Sequence, residues 1–195
     1  VWRRSLDFGA IEEIGRLTAR MRETDTGPLQ PQPGFNLKQG RGGIREIEFF
    51  AQTHQLIHGG RDPSLRLRGV RATLDALAVA GLVASDDAAV LGDCYDRLRT
   101  VEHRLQMVED QQTHTLPGGD ALERVARLDG MQDSAALLAD LAAVTAQVAQ
   151  RFDQLIGAET GGGPVAAPAA SAPPLPARLA QLGYADPEVL ARRID

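Results

Sequence analysis

A chain of 195 residues with 43% hydrophobic residues is long enough to bury one substantial core, and its 4% aromatic content, with Ala and Leu abundant, favours helices packed by aliphatic side chains over a β-sandwich. A net charge of −5 and a pI near 5.4 exclude the uniformly basic footprint of a dedicated nucleic-acid binder, although positive charge gathers locally between Lys38 and Arg71. The lone Cys94 excludes an intramolecular disulfide, no Cys/His spacing suits zinc, and no apolar run or signal segment points to a membrane, which makes cytoplasm the simplest compartment.

The chain opens at Val1, without a methionine, in what reads as mid-helix, as a fragment would. Residues 2–23 are expected to form an amphipathic helix, with Leu6, Ile11, Ile14, Leu17 and Met21 as its stripe. Thr24 to Gly34 carries Pro28, Pro31 and Pro33 and must be a loop, and Phe35-Asn-Leu37 is a short extended piece delivering the chain to Lys38. In the stretch that follows, Gly40, Gly42 and Gly43 permit positive φ and close approach, while Lys38, Arg41 and Arg45 bring three cations together.

From Gly43 the pattern turns helical to about His58, stopped by Gly59-Gly60. Ile44, Ile47, Ala51 and His54 share one face, and Arg45, Glu48, Gln52 and Gln55 another. A glycine-rich turn entering a helix N-terminus offers free N–H groups and a positive dipole end to an anion such as phosphate. The same residues also suit a plain turn with solvated cations and an Arg45–Glu48 surface pair, since the spacing is neither a P-loop nor a dinucleotide fingerprint.

A turn at Arg61–Ser64, in which Asp62 or Ser64 caps the next element, leads to a helix over about 64–80, with Leu67, Val70, Leu74 and Leu77 inward and Gly81 past its end. Ser85-Asp-Asp87 reads as an N-cap with acids in the first turn. It opens the longest periodic run, Leu91, Tyr95, Leu98, Val101, Leu105 and Val108, whose other face is Arg97, Arg99, Glu102 and Arg104. A polar segment over Gln111–Pro117 follows, then a short helix over about 120–128 and a longer one over about 134–156 with Leu137, Leu141, Val144, Val148, Phe152 and Leu155 inward. Thr160 to Pro176 is almost all Gly, Ala, Pro and Ser, too poor in burial capacity to order, and two short helical pieces, Ala177–Leu182 and Pro187–Ile194, come after it. No strand is convincing. The fold class is therefore all-α: an antiparallel bundle of about five or six helices over 1–157, a disordered linker over 158–176, and short helices over 177–195.

The polar residues fall into two islands, 38–48 and 102–116. His103 reads as solvent-facing or interhelical, and His54 as a hydrogen-bonded core residue rather than a base. Glu46 and Glu48, two apart on a helix, point to different sides and cannot by themselves form a metal pair. No clustered carboxylates of the two-metal type and no catalytic triad are present in the sequence.

Four blocks in order, Asn36-Leu-Lys-Gln-Gly-Arg-Gly-Gly-Ile-Arg-Glu-Ile-Glu-Phe-Phe50, Gln55-Leu-Ile-His-Gly-Gly-Arg-Asp-Pro-Ser-Leu65, Leu98-Arg-Thr-Val-Glu-His-Arg-Leu-Gln-Met107 and Asp110-Gln-Gln-Thr-His-Thr-Leu-Pro117, resemble the glutamine synthetase adenylyltransferase family, whose members both add and remove an adenylyl group. The resemblance covers about residues 1–157, and the Gly-Gly-Ile-Arg-Glu-Ile-Glu-Phe form resembles the N-terminal, adenylyl-removing half. Residues 175–195 look like the start of the region joining the two halves.

The resemblance implies a parent with two polymerase-β-type nucleotidyltransferase domains. One attaches AMP from ATP to a tyrosine of glutamine synthetase; the other removes it by phosphorolysis, releasing ADP; PII signal protein and glutamine control both. It implies Mg²⁺ bound by an Asp-x-Asp pair upstream of the residues present, which leaves the metal ligands and catalytic carboxylates outside this sequence. Residue by residue, Lys38, Arg41, Gly42, Gly43 and Arg45 match the family motif as nucleotide- or phosphate-binding positions, with Glu46 and Glu48 in support. Two alternatives stand beside this reading: a non-catalytic helical module that docks glutamine synthetase or PII, and a relative of the PII uridylyltransferases, which carry a similar Gly-Gly-Leu-Arg-Asp motif.

Overall fold

The computed structural model describes residues 27–160, with side chains through Gln154; the expected helix over 2–23 and the two short helices after residue 176 lie outside the described residues. Five α-helices follow one another: α1 Ile44–His58, α2 Val70–Val79, α3 Ser85–Glu109, α4 Gly119–Leu128 and α5 Ser134–Thr160. One 3₁₀ turn, Pro63–Leu65, precedes α2. The fold is all-α. The single exception to helical pairing among the described residues is an isolated antiparallel bridge between Asn36 and Thr115.

The 25-residue α3 is the axis of the bundle and touches each of the other four helices. Its periodic stripe explains why: Leu91, Leu98, Val101 and Leu105 are all but fully buried, and each such side chain taken out of water contributes about 1.5–3 kcal/mol. Phe35 and Leu37 from the entry loop, Ile44 and Ile47 from α1, Leu74 from α2, Val125 from α4 and Leu137, Leu141, Val148 and Phe152 from α5 close around it in one core. Phe49 meets Phe152 edge to face at 6.1 Å, joining α1 to α5.

Several boundaries differ from the periodicity. α2 starts at Val70, not near residue 64, because Asp62 caps the 3₁₀ turn instead: its carboxylate accepts from the Ser64 N–H at 2.9 Å and the Ser64 hydroxyl at 2.6 Å. Leu67 then falls in the link between turn and helix and is 40% exposed. Gly81, past the end of α2, has φ +69° and lets Leu82 N–H reach back to the Leu77 carbonyl at 3.0 Å, the glycine stop the sequence foretells. Ala84, not Ser85, is the N-cap of α3. The acids remain in the first turn, but Asp87 is turned toward Arg151 of α5 at 2.8 Å. α5 runs on to Thr160, past the expected end near 156.

Two polar side chains are inside where the sequence suggests outside. Gln55 lines up with Ile44, Ile47 and Ala51 and is 8% exposed; its amide donates to the Leu65 carbonyl at 2.6 Å, the Leu67 carbonyl at 2.9 Å and the Thr73 hydroxyl at 3.1 Å. One side chain thus fastens the whole 59–69 connection to α1. Glu102, placed by periodicity on the solvent face of α3, is fully buried.

Candidate anion-binding site

The 36–46 loop is built from hydrogen bonds that the chain makes with itself. The Asn36 carboxamide oxygen accepts from the N–H groups of Lys38 at 3.0 Å and Gln39 at 2.9 Å, and the Gly40 N–H returns to the Asn36 carbonyl at 2.8 Å. Ile44 and Arg45, the first residues of α1, donate to the carbonyls of Leu37 and Lys38, both at 3.0 Å, and Glu46 N–H donates to Gly43 at 3.1 Å. The sequence expectation of free N–H groups at this helix start is therefore corrected. They are occupied by the loop that precedes them, and an anion at this rim must be held by side chains.

Gly42 has a different reason to be glycine than ligand approach. Its φ is +74°, and a Cβ there would lie 2.0 Å from the Thr145 carbonyl oxygen of α5. The loop backbone presses directly on α5. Glu46, 2% exposed, braces the contact by accepting the Gly42 N–H at 3.0 Å. Gly40 and Gly43 are likewise enclosed, with would-be Cβ contacts at 2.6 Å and 2.7 Å to loop carbonyls.

The three cations part company. Arg41 turns to Asp153 of α5 at 2.8 Å in a half-exposed pair. Neither Lys38, partly exposed, nor Arg45, exposed, has a carboxylate partner among the described residues, so the expected Arg45–Glu48 pair is not formed. Glu48 instead faces α3 near Tyr95. The Tyr95 phenol is pushed above its usual value, first by burial and then by the negative charge of Glu48.

The second polar island is brought to the first by the Asn36–Thr115 bridge: Leu37 N–H donates to the His114 carbonyl, and Leu116 N–H to Phe35, both at 2.8 Å. This pairing puts His114 over α3, where its Nδ1 lies 2.6 Å from Oε1 of the buried Glu102. The two atoms are close, but the contact is off-line for an N–H···O bond. The other Glu102 oxygen accepts from Arg99, whose guanidinium also lies 3.4 Å from His103 Nε2. His103 is exposed, as expected. Glu48, Tyr95, Arg99 and Glu102 thus lie within electrostatic reach of one another, and the bridge sets His114 beside Leu37, one residue before Lys38. Sequence reasoning missed Glu102, although the signal was there: it sits at helical spacing between Leu98 and Leu105, a carboxylate inside an apolar stripe.

The remaining arginines of α3 are structural. Arg97 and Arg104 both clamp the fully buried Asp129 carboxylate at the end of α4, and Arg97 also reaches Asp140 of α5 at 2.8 Å. His54 is not the hydrogen-bonded core residue expected. Its Nδ1 is buried without a partner among the described residues, its ring rests against Phe50 at 4.8 Å, and burial followed by the neighbouring His58 lowers its pKa to about 4.

Comparison with known proteins matches the sequence to a family. A family model described as GlnD PII-uridylyltransferase matches residues 15–156. A bifunctional glutamine synthetase adenylyltransferase/adenylyl-removing enzyme from Bradyrhizobium diazoefficiens is 41% identical over 201 residues, which is 100% of this chain and 20% of the relative. Proteins of the same description from Ralstonia nicotianae, 41% identical with 100% and 23% covered, and Caulobacter vibrioides, 40% identical with 100% and 20% covered, agree. The chain belongs to the bifunctional glutamine synthetase adenylyltransferase/adenylyl-removing family. It spans about a fifth of the length of these adenylyltransferase relatives.

Magnesium, which the family resemblance implies, does not fit the described residues. Among them no three His, Cys, Asp or Glu side chains converge; of the two motif carboxylates, Glu46 is committed to Gly42 and Glu48 faces Tyr95. A magnesium ion would need ligands from beyond the described residues.

Proposed function

We propose that this chain is the helical module of the adenylyl-removing half of an enzyme that adenylylates and deadenylylates glutamine synthetase, and that it supplies one wall of the site where phosphate releases AMP from the adenylyl-tyrosine as ADP. Residues 1–157 form the helical domain in this reading, 158–176 a linker and 177–195 the start of the region between the two halves. Mg²⁺, its carboxylate ligands and the nucleotide pocket belong to a nucleotidyltransferase core outside this chain, in a cytoplasmic enzyme that answers to PII. The Gly-Gly-Ile-Arg-Glu-Ile-Glu-Phe form of the motif supports the adenylyl-removing half.

The observation that carries the proposal is the contrast within the loop: Arg41 is neutralised by Asp153, whereas Lys38 and Arg45 have no carboxylate among the described residues. Both stand on a backbone held still by Asn36, Gly42 and Glu46. Cations pre-positioned in this way hold phosphate oxygens at little reorganisation cost, which stabilises the charge carried through phosphoryl transfer. Arg45 offers a fork for two oxygens and Lys38 a point charge.

In the intact enzyme, Lys38→Ala and Arg45→Ala are each expected to raise the apparent KM for inorganic phosphate in adenylyl removal by about tenfold, the loss of one hydrogen bond to a charged group. Near-normal removal with unchanged phosphate dependence would sink the proposal. If the same variants weakened binding of PII or glutamine synthetase instead, the docking alternative would take its place.

A further inference from the structure

His114 is an ionisable side chain of the second polar island that the preceding reading leaves unused and that the fold holds against a buried carboxylate. Three observations bear on it. Glu102 is 0% exposed, and its oxygens face Arg99 and His114 Nδ1. His114 Nδ1 lies 2.6 Å from Glu102 Oε1, so the carboxylate stands directly behind the ring. The Nδ1 atom itself is buried, yet the side chain is 31% exposed, so the open edge of the ring is the one that carries Nε2. Finally, the His114 carbonyl is bonded to Leu37 N–H, one residue before Lys38, so the segment that carries His114 runs beside the loop that carries the cations.

A buried carboxylate packed behind a histidine restricts the orientation of the ring. The ring then presents its other nitrogen, Nε2, to the outside. If the purpose were only to fasten the 110–117 segment, the backbone bonds of Leu37 and Leu116 already do so. The buried charge of Glu102 also already has Arg99. Placing a further histidine there, with one nitrogen outward, adds a ligand contact.

We propose that His114, held in place by Glu102, is a further oxyanion contact of the rim formed by Lys38 and Arg45, taking a phosphoryl oxygen through Nε2. This rests on the proposed anion site and deepens it. Glu102 is a positioning residue that acts through His114. The oxyanion is either free inorganic phosphate or the phosphoryl group of the adenylyl unit; both offer the same chemistry to an imidazole N–H.

The test uses the intact enzyme. His114→Gln keeps an amide donor toward Glu102 and removes the imidazole Nε2; it is expected to raise the apparent KM for inorganic phosphate in adenylyl removal about tenfold while the melting temperature stays near the native value. Glu102→Gln, which keeps the side-chain shape, is expected to move the same KM in the same direction. A folded His114→Gln enzyme with native KM and kcat overturns the proposal. Should the variants fail to fold, carbethoxylation of His114 in the native enzyme, mapped by mass spectrometry, decides. Protection by inorganic phosphate assigns the contact to the free anion, and protection by AMP alone assigns it to the adenylyl group; either supports the proposal, and protection by neither overturns it. The two readings are separable. Lys38 and Arg45 variants that raise the KM while His114→Gln does not would remove His114 and leave the site, whereas the reverse pattern would leave His114 as the anion contact and remove the two cations.

Discussion

Replacing Gly42 by alanine tests whether the glycine loop is a packing device. Two costs add. A non-glycine residue at φ +74° sits in the left-handed region, for which about 1 kcal/mol is typical. The new Cβ would meet the Thr145 carbonyl oxygen at 2.0 Å, well over an ångström inside ordinary contact, so α5 or the loop must move. Overpacking of this kind costs about 1–3 kcal/mol. The expected total is about 3 kcal/mol, a fall in melting temperature of roughly 6–12 °C for a domain of this size.

Gly130→Ala is the matched control. Its φ is +76°, but nothing lies within 4 Å of its Cβ position, so it bears the conformational cost alone, about 1 kcal/mol. Urea unfolding of the three proteins, read as midpoint at constant slope, measures both. If Gly42→Ala were no more destabilised than Gly130→Ala, the loop would not press on α5, and the close approach reserved by Gly42 would belong to a ligand instead.

Three further outcomes follow from the packing. Asp129→Asn strips the carboxylate from between Arg97 and Arg104 and is expected to cost about 3 kcal/mol in urea unfolding, as for a broken buried pair; a loss under 1 kcal/mol would show that the arginines simply turn to solvent. Gln55→Ala leaves the buried carbonyl of Leu65 and the part-buried carbonyl of Leu67 without their donor, and about 2 kcal/mol is expected, together with faster amide exchange through residues 59–69. His54 has a folded-state pKa of about 4 against an ordinary 6.5, so the unfolded chain binds the extra proton first, and stability present above pH 6.5 is lost as pH falls toward 4. Comparing native and His54→Gln stability between pH 7 and 4.5 should show about 2 kcal/mol less acid loss in the variant, and parallel profiles would refute the burial of a neutral ring.

α1, α3, α4 and α5 are readable in the sequence because each carries an apolar stripe at helical spacing. Gly59, Gly81 and Gly130 end their helices through backbone geometry that needs no distant partner. The start of α2 was not readable, since Asp62 has two elements it can cap and the nearer 3₁₀ turn takes it. In the motif, residue types named the cations but not their partners. Arg41 and Arg45 look alike in sequence, and only the arrival of α5 with Asp153 neutralises one and leaves the other open.

Periodicity and local turn chemistry therefore determined the helices, the glycine stops and the two polar islands, because those depend on neighbours within a turn or two. The tertiary structure alone decided which side chains meet Glu102, that Gly42 is glycine for the sake of Thr145, and that the two islands lie side by side. Each of these rests on residues far apart in the chain meeting through the Asn36–Thr115 bridge or the α5 face, where burial and unpaired charge, not spacing, set the outcome.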